Sequence, residues 1–397
     1  MRPLALTAFT ATSAIGRGLE ATLASLRGAR SGLRPCAFET VALETCIGEV
    51  AGVDDVMLPP GLEEFECRNN RLAWLALMQD GFVTTVEETA TRCGAERLGI
   101  FFGTSTSGIL ETELAYRQRD PVSGALPAGF RYRGAHNTYS LAAFVRQALQ
   151  LSGPAAVISS ACSSSAKAFA SAQRAIEAGV IDAALVGGVD SLCLTTLYGF
   201  HSLQLVARTP CRPFDVARDG ISIGEAAAFA LLERPDGRTD ADSVLLLGTG
   251  ESSDAFHMSS PPPDGRGARE AMRRALAAAA LSPADIGYIN FHGTGTASND
   301  EAEARAVASL LGPHVPGSST KGATGHALGA AGALEAVICA LALRDALMPG
   351  GVNTTVVDSA LPVRYLRENV STQLRCVMSN SFGFGGSNCS LILARAG

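Results

Sequence analysis

The sequence predicts an α/β protein of two similar lobes, with helices on both faces of mixed sheets. Three observations carry this reading. Short apolar runs alternate with Ala-rich stretches of helical periodicity, the alternation starts a second round near residue 245, and no low-complexity segment interrupts either round.

In the first round, residues 97–102 read as a strand that runs into the small-residue loop 103–108. Residues 155–158 are a further apolar run. Residues 163–178 read as a helix, because Ala166, Phe169, Ala170 and Ile176 fall close to one face. Residues 182–189 are nearly all apolar, as a strand covered on both faces must be, and 226–233 repeat the pattern. The second round opens with a strand over 243–248 and a loop over 254–267 marked by Pro261, Pro262 and Pro263. A helix over 267–281, a strand over 286–291, a helix over 299–311 and a long apolar helix over 328–348 follow. Strands over 376–379 and 389–394 close the chain. The rounds divide it into residues 1–245 and 246–397.

Composition narrows the function. The 397 residues are 47% hydrophobic and 18% charged, which excludes extensive disorder. No apolar run reaches the ~18 residues that a membrane helix needs, and residues 1–7 lack the charged and apolar regions of a signal peptide. The ten cysteines form no CxxC pair, which argues against a zinc ribbon or a disulfide framework and fits a reducing cytoplasm. The net charge of −6 carries no signature of nucleic-acid binding. The basic residues are nearly all Arg; Lys167 and Lys321 are the two lysines. A lysine that survives such a bias invites the question of what its compact ammonium does that guanidinium cannot.

Cys162 is the leading candidate nucleophile. It lies where the apolar run 155–158 meets the small-residue start of a helix, in Ser160-Ala161-Cys162-Ser163-Ser164-Ser165. Unpartnered backbone N–H groups and the helix dipole there are expected to favour the thiolate. Three Gly-rich loops follow, around His292-Gly293-Thr294-Gly295-Thr296, Lys321-Gly322-Ala323-Thr324-Gly325-His326 and Phe382-Gly383-Phe384-Gly385-Gly386. Two of the six histidines sit on such loops, where glycine lets the backbone approach a ligand. Metal binding by His292 and His326 is not expected, since no third ligand stands at a recognisable spacing.

These blocks, in order and joined by Arg212-Pro213-Phe214-Asp215, Arg218-Asp219-Gly220 and Leu328-Gly329-Ala330-Ala331-Gly332, resemble the β-ketoacyl-acyl-carrier-protein synthase family of synthase I/II type, condensing enzymes of the thiolase superfamily. The resemblance runs through nearly the whole chain. It implies a thiolase fold, two related halves in a five-layer α-β-α-β-α sandwich, and a homodimer. It implies decarboxylative Claisen condensation of an acyl thioester with malonyl-acyl carrier protein, in fatty acid, polyketide or aryl polyene synthesis. No cofactor or metal is implied; the substrates ride on the phosphopantetheine of acyl carrier protein.

The same resemblance assigns roles. Cys162 accepts the acyl chain, and the N–H groups of Cys162 and Phe384 form an oxyanion hole, with Phe384 also a mobile gate. His292 and His326 hold the malonyl thioester carbonyl. Lys321 fixes His326 and nearby polar groups, and Glu335 is the buried acid that completes the network. Thr106, Ser107, Thr294, Thr296 and Phe382 border the substrate, the first two near the acyl end. Arg212, Asp215, Arg218 and Asp219 shape a loop, Asp300 and Glu303 do similar local work, and Lys167, outside the catalytic pattern, is structural or solvated. Arg68, Arg71, Arg131 and Arg133 supply the basic patch that an acidic enzyme needs for an acidic carrier protein.

Phe291 before His292, Gly224-Glu225-Ala226-Ala227 and the glycine-poor residues 7–12 depart from the usual pattern and favour a specialised pathway over housekeeping elongation. A thiolase would place a second catalytic cysteine where Phe382–Gly386 stand, and a chalcone-synthase-like enzyme would carry Asn in place of His326. A noncatalytic chain-length-factor-like subunit is the remaining alternative, opposed by retention of Cys162, His292 and His326; a heterodimer with such a subunit stays open.

Overall fold

The computed structural model describes residues 2–237 and 239–397. Ten strands form its frame: β1 (Leu4–Ser13), β2 (Leu98–Gly103), β3 (Ala155–Ile158), β4 (Ala183–Asp190), β5 (Ala226–Glu233), β6 (Val244–Ser253), β7 (Tyr288–Asn290), β8 (Pro316–Ser318), β9 (Cys376–Gly383) and β10 (Ser387–Arg395). Eight of the helices matter to the site: α1 (Arg68–Leu77), α2 (Ser140–Ala148), α3 (Ser164–Glu177), α4 (Leu194–Ser202), α5 (Arg266–Ala279), α6 (Ala297–Leu311), the short α7 (Lys321–Thr324) and α8 (Ala331–Arg344).

The first five strands lie in the order β1-β5-β4-β2-β3 and the last five in the order β6-β10-β9-β7-β8. The second order repeats the first, five strands on. In each set the first three neighbours pair antiparallel and the last two pairings are parallel. A short antiparallel seam, Leu4 with Leu246 through Leu6 with Val244, joins the two sets edge to edge.

Burial explains the layering. β4 and β5 are buried at every residue, so helices must cover both faces. α8 is buried along almost its whole length, which places it inside the molecule rather than on it. It packs on α3, and both touch strands from each set, forming the middle layer. α1 and α2 cover the outer face of the first set, and α5 and α6 lie outside the second. The result is the five-layer sandwich the sequence implied.

Several boundaries differ from expectation, three of them at the site. The apolar stretch 328–348 is not one helix: Leu328–Ala330 is a 3-10 turn, α8 ends at Arg344, and Leu347–Met348 is a strand. Ala346 takes φ +52 between the last two, a left-handed conformation that a helix cannot continue through. The loop carrying Lys321 folds into α7, and the strand read as 376–379 runs on to Gly383.

Candidate active site

Cys162 stands in the turn from β3 to α3. Ala161 before it adopts φ +54, a strained conformation for a residue with a Cβ. Serines staple that turn: the Ser160 N–H donates to Ser164 Oγ at 2.8 Å, Ser164 Oγ donates to Ala161 O at 2.6 Å, and Ser163 Oγ to Ser160 O at 2.9 Å. Short hydroxyl side chains bond back to nearby backbone in this way, which is why the run is Ser-rich. The start of α3 lies so close to β2 that a Cβ on Gly103 would run into the Ser165 backbone.

The second strand set supplies the imidazoles. His292 follows β7, and the Glu303 carboxylate on α6 accepts the N–H groups of His292 and Gly293 at 2.9 and 2.8 Å. Asn380 on β9 donates to the same carboxylate at 3.1 Å. His326 follows α7. Its N–H donates to Ser222 O at 2.7 Å and its carbonyl accepts the Gly224 N–H at 3.0 Å, so residues 222–224 of the first half grip the loop from both sides. Gly325 makes the bend with φ +75, pressed against Gly224.

These segments converge on one point. His326 Nε2 lies 3.0 Å from Cys162 Sγ. The rings of His292 and His326 stand at 80° with centroids 5.3 Å apart. The Phe384 N–H acts on the Cys162 sulfur to draw its pKa down, and the Phe384 ring packs on Phe200 of α4 at 5.4 Å. Cys162, His292, His326, Thr294, Thr296, Phe382 and Phe384 line one cavity. Lys321 Nζ donates to His292 O at 2.6 Å, sits 3.5 Å from His292 Nδ1, and pairs with Glu335. It therefore braces His292 by direct hydrogen bonds, while its charge also acts on His326, where the sequence led us to expect it. His326 Nδ1 has no hydrogen-bond partner among the described residues.

The electrostatics of the pocket are dominated by burial. It pushes the Cys162 thiol up to about 11; the Lys321 charge and the Phe384 N–H pull the other way, and the anionic Asp190 and Glu335 add to the rise. Desolvation thus opposes the thiolate that the helix start is expected to favour. Burial, with the Lys321 charge, also holds both imidazoles well below the usual histidine range, so they are neutral near pH 7. Glu335 is pushed up to about 7 by burial, opposed by Lys321. A neutral thiol thus faces a neutral imidazole at hydrogen-bond distance, and a proton can pass between them.

The third metal ligand not found in the sequence does exist in space, since ligating atoms of Cys162, His292 and His326 lie within 4.8 Å of one another. The ammonium of Lys321 beside His292 opposes a second cation there.

Other expected residues fall elsewhere. Thr106 and Ser107 are buried but do not line the cavity; Thr106 bonds Asp190 through both its N–H and its hydroxyl, and Ser107 Oγ donates to Ala135 O and Asn137 O. Arg68 is not a surface contact. Its side chain is 4% exposed, forks onto Glu225 at 2.9 and 2.7 Å, and also binds Asp54. Arg71 is half-buried against Glu66. Arg131 and Arg133 are exposed, with Arg131 bonded to Glu63 O. Arg218 binds Asp358 at 2.7 Å, and Asp215 accepts the N–H groups of Thr355 and Val356, which ties loop 212–218 to residues 354–358. Lys167 lies 3.8 Å from Glu251. Sequence reasoning missed Ser222, Gly224 and Phe200; the glycine beside Glu225 was the available signal for the first two.

Residues 61–237 match the "Beta-ketoacyl synthase, N-terminal domain" and residues 244–355 the "Beta-ketoacyl synthase, C-terminal domain". The chain is 36% identical over 307 residues to Nodulation protein E of Rhizobium meliloti, covering 75% of each. It is 39% identical over 266 residues to 3-oxoacyl-[acyl-carrier-protein] synthase 2 of Rhizobium meliloti (strain 1021), a match that spans 62% of either protein. Among solved structures, a chain of the complex of the ketosynthase ApeO with its chain length factor ApeC from Xenorhabdus doucetiae superposes with a TM-score of 0.90 at 39% identity, over 100% of this chain and 98% of that one. The ishigamide ketosynthase/chain length factor superposes at 0.89 with 27% identity, over 100% of both chains. With both domains matched in order on a thiolase fold, the chain belongs to the beta-ketoacyl synthase family of condensing enzymes.

Proposed function

We propose that the chain catalyses decarboxylative Claisen condensation: an acyl group on Cys162 is extended by malonyl-acyl carrier protein to a β-ketoacyl product. The observation that carries this is the 3.0 Å contact of Cys162 Sγ with His326 Nε2 in a pocket shared with His292. In the first half-reaction Sγ attacks the acyl thioester. The thiol proton passes through His326 to the departing pantetheine thiol, and the N–H groups of Cys162 and Phe384 carry the charge on the thioester oxygen.

In the second half-reaction His292 and His326, as neutral imidazoles, donate to the malonyl thioester carbonyl. The carboxylate leaves as CO2, its bonding electrons form the enolate, and those donors stabilise the charge in a site that burial keeps dry. The enolate carbon then bonds to the acyl carbon as the bond to Sγ breaks. Lys321 and Glu335 keep the His292 loop in place. No step requires a metal or a bound cofactor.

The expected substrates are acyl and malonyl groups on an acidic carrier protein in a reducing cytoplasm, with Arg131 and Arg133 as the exposed basic contacts. A specialised polyketide or polyene pathway is the preferred setting, and the division between halves proposed at 245/246 falls just inside the start of β6. The solved ketosynthases named with a chain length factor support a heterodimer over a homodimer. Retention of Cys162 makes this chain the acylated subunit. Native mass spectrometry of the chain alone and with a candidate partner separates the two assemblies. Condensation itself is tested by supplying acyl- and malonyl-carrier protein: a β-ketoacyl product is expected, and release of CO2 without a new carbon–carbon bond contradicts the reading.

A further inference from the structure

Asp190 is the last residue of β4, is fully buried, and has no part in the chemistry above. Its carboxylate accepts from Thr104 Oγ1 at 2.7 Å, from the Ser105 and Thr106 N–H groups at 2.8 Å each, from Thr106 Oγ1 at 2.7 Å and from the Gly329 N–H at 2.5 Å. Backbone N–H groups can only donate, so this cradle suits an anion. The donors come from both halves of the molecule. Thr104, Ser105 and Thr106 lie in the loop after β2; Gly329 follows His326 by three residues.

Each side of that junction leads to the reacting pair. Ser105, whose N–H is held by Asp190, donates its hydroxyl to Ala161 O at 3.3 Å, in the turn that aims Cys162. Gly329 anchors the turn through Leu328, which adopts φ +49. Ala161 is at φ +54 and Ser107 at φ +46. Three non-glycine residues in the left-handed region thus belong to segments fixed by one carboxylate or by a residue it binds. Such conformations persist only where the surroundings over-determine them. The space is equally committed: a Cβ on Gly329 would lie 2.6 Å from Ser105 Oγ and 2.8 Å from Asp190 Oδ2.

We infer that Asp190 is a positioning residue that sets the distance between Cys162 and His326, clamping the loop that braces the cysteine turn to the turn that follows the histidine. The inference rests on the acyl-transfer reading proposed above. A carboxamide keeps the shape of the clamp but turns an N–H toward donors, so one side must let go. A misplacement of about 1 Å costs on the order of 100-fold in rate.

The test follows acyl transfer to Cys162 from a small acyl thioester in the full chain by intact mass. If the unaltered protein takes no acyl group, the proposed function fails and the inference goes with it. If it does, Asp190→Asn is expected to lower kcat about 100-fold with KM held, while thermal unfolding stays cooperative. Unchanged kcat overturns the inference alone. A second readout separates positioning from loosened packing. The charged or titratable groups around the thiol are Lys321, Glu335, Asp190, His292 and His326, so removing one anion should move the pH midpoint of Cys162 alkylation by iodoacetamide downward. Acyl transfer should slow even as alkylation quickens; a parallel fall in both contradicts the assignment. If Asp190→Asn does not fold, Gly329→Ala breaks the same contact from the other side, and Ser105→Ala at a half-buried site removes one link. The latter is expected to cost about threefold to tenfold, and wild-type rates in both refute the clamp.

Discussion

The two strand sets repeat one topology and end in opposite chemistry. At the end of β3 the chain turns through Cys162 into α3; at the end of β8 it turns through Lys321 into α7. The loop after β2 presents Thr104 and Ser105 to Asp190, whereas the loop after β7 presents His292 to the cavity. β4 ends on a buried carboxylate, β9 on the segment that carries Phe384. On the proposed reading, one half holds the nucleophile and fixes it, and the other holds the imidazoles that serve it. The duplicated frame supplies a meeting point at the strand ends, and the side chains there decide what happens at it.

That contrast can be broken residue by residue. Cys162→Ala has the largest expected effect: the acyl adduct is absent from the intact mass, while folding is retained because the change removes one buried sulfur. His326→Ala comes next. It should abolish decarboxylation of malonyl thioester and slow acylation on the order of 100-fold, since the thiol loses its proton acceptor; acylation at the wild-type rate would confine His326 to the second half-reaction.

Lys321→Met should destabilise by about 3–5 kcal/mol, because Glu335 is left buried and unpaired. Adding Glu335→Leu should recover most of that in a denaturant titration without restoring condensation. The unmodified protein offers a pH test. With the thiol raised to about 11, alkylation of Cys162 should keep accelerating above pH 9; a plateau near neutrality would mean that the helix start prevails over burial after all.

The smallest effect belongs to the surface. Arg131→Glu with Arg133→Glu should weaken carrier-protein turnover several-fold and spare small thioesters, whereas Arg68→Glu should unfold the protein by breaking the buried fork on Glu225.

What the sequence revealed follows the range of the forces involved. β5 was legible to the residue because a strand covered on both faces must be apolar throughout. The Cys162 turn was legible because serines and small residues solve a local backbone problem. β1 was not read: its outer residues mix polar and apolar types, and its place is set by pairing with β5, more than 200 residues away. Arg68 looked like a surface charge because its partner Glu225 is 157 positions distant. Asp190 carried no signal in the sequence, although it gathers donors from two halves. Phe291, which departed from the usual pattern, packs its ring on Phe214 at 4.8 Å and fills the space over Gly317. Burial was the least legible term of all, since it pushes the Cys162 thiol up without altering any neighbour in the sequence.

The most direct test is a two-step intact-mass experiment on the wild-type chain and on His292→Ala, each loaded first with acyl-carrier protein and then given malonyl-carrier protein. The account predicts an acyl adduct on Cys162 in both, cleared by malonyl donor only in the wild type as β-ketoacyl product appears. Clearance at equal rates in both proteins would show that the His292 imidazole takes no part, and the division of labour described here would be wrong.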